Sequence, residues 1–273
     1  MSRKTSMALW LLAGAALAAT PTLIRRKMRP VVFPRIPVVR LRFQSGDGVE
    51  LAGDLYASGR EEMVILVHGF TSRKNSPKLV RIAERMSRDF DVLAIDLRGH
   101  GESGGAYDLS LDAPTRDVVA AVRLARSLRY RKIALVGFSL GAASSVMAAA
   151  ELGDLDALVS IACPAAPLTT ATWHMAGMHL WRGWAYLMGT RIKGTGWWRE
   201  FPVDVVERVG APTLVVHCGK DGLIPLALSR RLFEAARDPK EFLLLPGEAH
   251  ADLGPDGEAR VQDWLKRQLR DVL

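Results

Sequence analysis

Residues 132–152 constrain the fold more than any other stretch: an apolar run, IALVGF, passes directly into SLGAASSVMAAA. The first part has the length and character of a buried strand and the second the alanine content of a helix, with Gly137-Phe138-Ser139-Leu140-Gly141 at the join. A strand can turn this abruptly into a helix only where side chains are missing on either side of the turn. That accounts for glycines two before and two after the serine. A buried join has no structural use for a hydroxyl. Ser139 is therefore expected in a strained backbone conformation, with its oxygen pushed out at the carboxyl end of the sheet.

The rest of the 273-residue chain alternates in the same way. At 49% hydrophobic and 24% charged it can bury one large core and is too apolar for long disorder. VELAGDLY (49–56), MVILVHG (63–69), DVLAID (91–96), ALVSIA (157–162), TLVVHC (213–218) and FLLLP (242–246) read as strands. Ser76-Pro77 opens a helix to about residue 88, with Leu79, Val80, Ile82, Ala83 and Met86 on one face. Further helices are predicted near 114–129, 139–152, 226–236 and 257–271. Buried strands alternating with helices predict an α/β fold, a mostly parallel sheet with helices on both faces. Residues 164–204 break the alternation and hold Trp173, Trp181, Trp184, Trp197 and Trp198, five of the seven tryptophans. An insertion of this length reads as a lid over the sheet edge that carries the chemistry.

The first forty residues differ in kind. Met7 to Ile24 is uncharged over eighteen residues, which just reaches the length of a membrane-crossing helix. A signal-peptide core also fits, with the ALA at 16–18 as cleavage site. Arg25, Arg26, Lys27 and Arg29 follow at once, oppose export and favour an uncleaved anchor with the downstream domain on the cytoplasmic side. RPVVFPRIP (29–37) is too proline-rich for helix or central strand. It reads either as an extended tether whose bases meet anionic lipid or as a solvated linker. The expected organisation is an anchor or signal segment over 1–29, a linker over 30–40, and a catalytic domain over 41–273.

A serine hydroxyl needs a base to become a nucleophile, and the base needs an acid to fix its tautomer. Downstream of Ser139, Asp221 falls in a Gly-flanked turn after one predicted strand and His250 directly after the next, which places both at the serine's edge of the sheet. Asp252 and Glu248 are too close to His250 in sequence to reach back over it. Asp204 precedes its strand, His217 lies inside one, and His174 and His179 belong to the insertion. His68 and His100 read as loop-shaping residues. The oxyanion formed by attack needs backbone donors, and the N–H groups of Leu140, after the nucleophile, and Phe70, after the 63–67 strand, are the candidates.

VHGF, DLRGHGESGG, GFSLG, GKDGLIP and PGEAH together resemble the α/β-hydrolase superfamily, in its order and approximate spacing, from about Leu41 to the end. DLRGHGES and the single lid look most like the serine branch with monoacylglycerol lipases, esterases and serine aminopeptidases. The resemblance implies Ser139 as nucleophile, Asp221 and His250 as its relay, and Phe70 and Leu140 as oxyanion donors. It implies an ester hydrolase with an acyl-enzyme, no metal or organic cofactor, and a small-molecule ester with an apolar or lipid-like acyl group as substrate. Amide or peptide cleavage and acyl transfer would use the same constellation. A silent binding protein on this fold would be expected to have lost one of the three residues. The formal charge of +8 comes without a zinc-ligand spacing or an RNA-binding signature, so it argues for a membrane face rather than nucleic acid. Cys163 and Cys218 sit in strand-like runs and read as free buried thiols.

Overall fold

The computed structural model describes residues 31–166, 189–193 and 198–270. Eight strands form one sheet: β1 (Val39–Gln44), β2 (Glu50–Tyr56), β3 (Glu62–Val67), β4 (Asp91–Asp96), β5 (Lys132–Phe138), β6 (Ala157–Ile161), β7 (Thr213–Lys220) and β8 (Lys240–Ala249). Their order is β1-β2-β4-β3-β5-β6-β7-β8. The six strands β3 to β8 are parallel, β2 is antiparallel to β4, and β1 is antiparallel to β2. The helices are α1 (Pro77–Met86), α2 (Asp112–Ser127), α3 (Leu140–Leu152), the one-turn α4 (Pro202–Val205), α5 (Leu226–Ala235) and α6 (Gly254–Leu269).

The continuous apolar runs of the central strands exist because both faces of the sheet are covered. In β3, Met63, Ile65 and Val67 enter the core shared with α2 and α3, while Val64 and Leu66 enter the core shared with α1 and α6. β5 divides in the same way, with Ile133 and Leu135 on the first side and Ala134, Val136 and Phe138 on the second. Each large aliphatic side chain so buried contributes about 1.5–3 kcal/mol. The five apolar positions anticipated on α1 are its five buried residues.

Two differences from the sequence expectation concern the amino-terminal side. β1 was not anticipated, and it begins at Val39, inside the expected linker. VRLRFQ carries arginine at alternate positions and lies at the sheet edge, so its strand character comes from pairing with β2 and from Leu41 and Phe43 packing on the core. The stretch before it is strapped to the domain rather than trailing from it. Val32 N–H donates to Asn75 O at 3.1 Å, Arg35 N–H donates to Glu84 Oε1, and Val38 packs against the α1/α6 core. The expected apolar helix and most of the lid insertion lie outside the described residues. Among the described residues no helix is long and apolar enough to cross a membrane.

Candidate active site

Ser139 occupies the turn between β5 and α3 with φ +53° and ψ −115°, a region that side-chain-bearing residues rarely adopt. The flanking glycines allow it. A Cβ on Gly137 would lie 2.4 Å from Gly141 O, and one on Gly141 would lie 2.3 Å from Val67 O and 2.5 Å from His68 O. Strand, helix and the neighbouring β3 loop thus meet backbone to backbone. The turn is tied on either side by Ser139 N–H donating to Ile161 O at 2.9 Å and by Ala143 N–H donating to Ser139 O at 3.0 Å.

Asp221 and His250 reach the serine through an irregularity in the sheet. β7 and β8 pair regularly to Cys218↔Leu245, then shift so that Lys220 faces Ala249. The next residue of each strand is Asp221 and His250, and the two therefore leave the sheet side by side. Gly219 makes the shift feasible, because a Cβ there would sit 2.7 Å from Pro246 Cα.

His250 Nδ1 lies 2.8 Å from Asp221 Oδ2, and its Nε2 lies 3.1 Å from Ser139 Oγ. The carboxylate fixes the proton on Nδ1 and leaves the Nε2 lone pair facing the hydroxyl. The Asp221 side chain is fully buried while that of His250 is one quarter exposed. Burial opposes ionisation of Asp221, but hydrogen bonds from His250 and from the N–H groups of Ile224 and Leu223, 2.9 and 2.8 Å from Oδ1, outweigh it. The carboxyl is held below its ordinary range and stays charged at neutral pH.

Leu140 is the first residue of α3, where backbone N–H groups have no partner inside the helix and the helix dipole favours negative charge. Phe70 lies in the loop after β3. Its carbonyl accepts from His100 Nε2 and, at 3.4 Å, from Thr190 Oγ1, and its ring packs on His100 and Tyr107. Serine, imidazole, carboxylate and a helix amino terminus converge here, an arrangement chemically able to form and hydrolyse an acyl-serine.

The model of the alpha/beta hydrolase family matches residues 64–262, well over half of the chain. The chain belongs to the alpha/beta hydrolase family. Among its relatives, the uncharacterized protein YfhR of Escherichia coli (strain K12) is 23% identical over 239 residues, covering 85% of this chain and 79% of that one. Uncharacterized protein Rv2307c of Mycobacterium tuberculosis is 26% identical over 270 residues, covering 92% and 91%. Among solved structures, the Pyrococcus furiosus esterase Pf2001 superposes with a TM-score of 0.71 at 20% identity, over 87% of this chain and 97% of that chain. Est1E of Butyrivibrio proteoclasticus with bound ferulic acid gives 0.67 at 20% identity, over 84% and 98%. At these identities the solved structures speak to fold alone.

Around the hydrolase centre lies a supporting layer that the sequence did not reveal. Lys78, on the first turn of α1, donates from Nζ to Ala251 O at 2.6 Å and lies over the Phe138 ring. Cys218 Sγ donates to Asp252 O at 3.0 Å. Together they grip the turn after His250, in which Ala251 has φ +54°. Burial holds the Lys78 pKa below the ordinary lysine value, with Asp252 opposing the shift. Residues 189–193, at the returning end of the insertion, dock on the DLRGHGESGG loop: Tyr107 N–H donates to Arg191 O at 2.8 Å and Arg191 N–H to Gly99 O at 2.7 Å. Nothing in the spacing of these residues signals such contacts, which join segments far apart in sequence.

The other titratable groups weighed from sequence are engaged elsewhere or lie outside the description. His68 Nδ1 faces Gly69 O at 2.8 Å and its Nε2 accepts Leu97 N–H at 3.1 Å, so the ring shapes the loop. His100 is buried against Arg98 O and Phe70 O, and burial, aided by His68, pushes its pKa down to about 3. His217 bonds Ser229 Oγ at 2.9 Å inside β7, Asp204 accepts Phe201 N–H at 2.9 Å, and Asp252 lies 3.7 Å from Arg81. His174 and His179 lie outside the described residues. Both cysteines are free and buried, and burial raises Cys163 to about 12 and Cys218 to about 11.

Proposed function

We propose that this chain is a serine ester hydrolase acting through an acyl-enzyme on Ser139. The observation that carries the reading is a single imidazole, His250, within hydrogen-bonding distance of both Asp221 and Ser139. Ser139 Oγ attacks the ester carbonyl while its proton passes to His250 Nε2, and the buried Asp221 carboxylate stabilises the imidazolium. The oxyanion takes hydrogen bonds from the N–H groups of Leu140 and Phe70. Collapse breaks the bond to the alkoxy group, which leaves with the proton from Nε2. Water then gives a proton to Nε2, attacks the acyl-serine, and returns the acid and the free hydroxyl.

The esterases among the structural neighbours support ester substrates. The tryptophans of the insertion favour an apolar or lipid-like acyl group, and the uncharged run at Met7–Ile24 favours attachment to a membrane, with the domain on its cytoplasmic side. The test is hydrolysis of p-nitrophenyl esters of graded chain length, with an amide counterpart and fluorophosphonate labelling, on the parent and on Ser139→Ala. Turnover rising with chain length, and loss of both labelling and turnover in the variant, is expected. A folded parent that neither labels nor turns over any ester would overturn the proposal.

A further inference from the structure

The strap at 31–38 enters the fold on the catalytic rim. Val32 is bonded to Asn75, two residues ahead of Pro77, the first residue of α1, and the same opening turn of α1 holds the turn after His250 through Lys78. From there the strap descends α1. Arg35 meets Glu84, about 10 Å further down a helix rising 1.5 Å per residue, and Val39 pairs with Leu55. Tyr56, the next residue of β2, pairs with Val92 at the start of β4, so Val39 lies at the edge opposite the triad. Whatever precedes Val31 therefore joins the domain beside its active site.

A segment pinned to a domain normally turns its apolar side chains inward. Here only Val38 packs on the core, and most of the others face out: Phe33 is 70% exposed, Val39 51%, Val31 44% and Ile36 39%. The charge carried by the segment itself has one sign, although Glu84 meets Arg35 N–H and Arg42, on β1, pairs with Glu50 and Glu102. From residue 25 to 46 the sequence holds Arg25, Arg26, Lys27, Arg29, Arg35, Arg40 and Arg42 and no acidic residue. Upstream, the uncharged run ends at Ile24, seven residues from Val31 and so at most about 25 Å away along the chain. Exposed apolar side chains on a segment whose own charges are all basic fit the headgroup boundary of an anionic bilayer, where apolar area is buried while the bases meet lipid charge.

We propose that Val31 and Phe33 insert into the boundary of an anionic bilayer and present the catalytic rim to it, so that ester substrate enters from the lipid. The second half of that statement rests on the ester-hydrolase reading; the docking does not. The full chain is labelled with an environment-sensitive NBD group at Phe33→Cys or, as a control, at Arg60→Cys in the exposed loop joining β2 to β3 at the opposite edge. Cys163 and Cys218 are buried and do not compete for the label. On vesicles of phosphatidylcholine and phosphatidylglycerol, the label at 33 shifts to the blue and is quenched by lipids brominated near the headgroup, while the label at 60 is unaffected. In unlabelled protein, Phe33→Glu lowers hydrolysis of a long-chain ester held in those vesicles by about ten-fold and leaves a dissolved short-chain ester untouched.

A label at 33 that stays in water on protein-bearing vesicles, or that responds as the label at 60 does, overturns the proposal. So does a blue shift at high protein concentration without lipid, which would make a second copy the occupant, or an equal loss on both esters in Phe33→Glu. If no ester is hydrolysed at all, the hydrolase reading fails and the fluorescence still decides the docking.

Discussion

Lys78→Met tests whether the grip on the turn after His250 matters to the chemistry. The substitution keeps an aliphatic side chain of similar length and removes the ammonium, which bonds Ala251 O at 2.6 Å and lies over the Phe138 ring. A hydrogen bond to a charged group is worth about 1.5–3 kcal/mol, and its loss releases a turn already strained at Ala251. If that energy serves to keep His250 Nε2 at 3.1 Å from Ser139 Oγ, its removal lowers kcat by about ten- to hundred-fold, at about 1.4 kcal/mol per factor of ten. A misplacement of about 1 Å would do the same. KM should change little, because Lys78 lies behind the turn. The rate of fluorophosphonate labelling should fall in parallel with kcat. The melting temperature should change little, because removal of the buried ammonium's desolvation cost offsets the lost hydrogen bond. The assay is kcat and KM on a dissolved short-chain ester across the pH range, with active sites counted by the phosphonate. A methionine variant within two-fold of the parent in kcat at every pH would refute the reasoning.

Three further outcomes follow from the same geometry. Gly141→Ala places a methyl 2.3 Å from Val67 O and 2.5 Å from His68 O, backbone atoms of the sheet edge; it should lower stability by about 3 kcal/mol, read as a shift in the urea midpoint. Asp221→Asn keeps the shape but not the charge that opposes the imidazolium, and should cut kcat by roughly 10³–10⁴ with folding preserved by circular dichroism. His100 is neutral in the fold with a pKa near 3, against 6.5 for the unperturbed ring, so the unfolded chain binds a proton that the folded one does not between those values. Its contribution to stability is full above pH 6.5 and is lost at about 1.4 kcal/mol per pH unit as the pH falls toward 3; the neighbouring His68 and Asp96 contribute in both proteins compared. Urea midpoints at pH 7 and pH 5 should therefore converge in His100→Gln relative to the parent, and an unchanged difference would count against it.

The hydrolase architecture was legible because its signals are local. The buried strands β3 to β7 read as unbroken apolar runs, α1 declared its face by periodicity, and the glycines at 137 and 141 announced a turn that nothing else needs. Ser139, Asp221 and His250 could be picked out because each follows directly on a strand, and parallel strands deliver such positions to one edge. What linear order does not contain is distance. The shift between β7 and β8 that sets residues 221 and 250 side by side, the Lys78 and Cys218 bonds to the following turn, and the docking of residues 189–193 beside Phe70 all join segments far apart in the chain. β1 went unread for the same reason, since an arginine-rich edge segment becomes a strand only when β2 lies beside it. By itself the sequence determined which residues are apolar, which are reactive and where the backbone must bend, because those are properties of single residues and short spacings. Only the tertiary structure decided which reactive groups meet, and that the strap before β1 joins the fold at the catalytic rim, because both depend on packing the whole sheet.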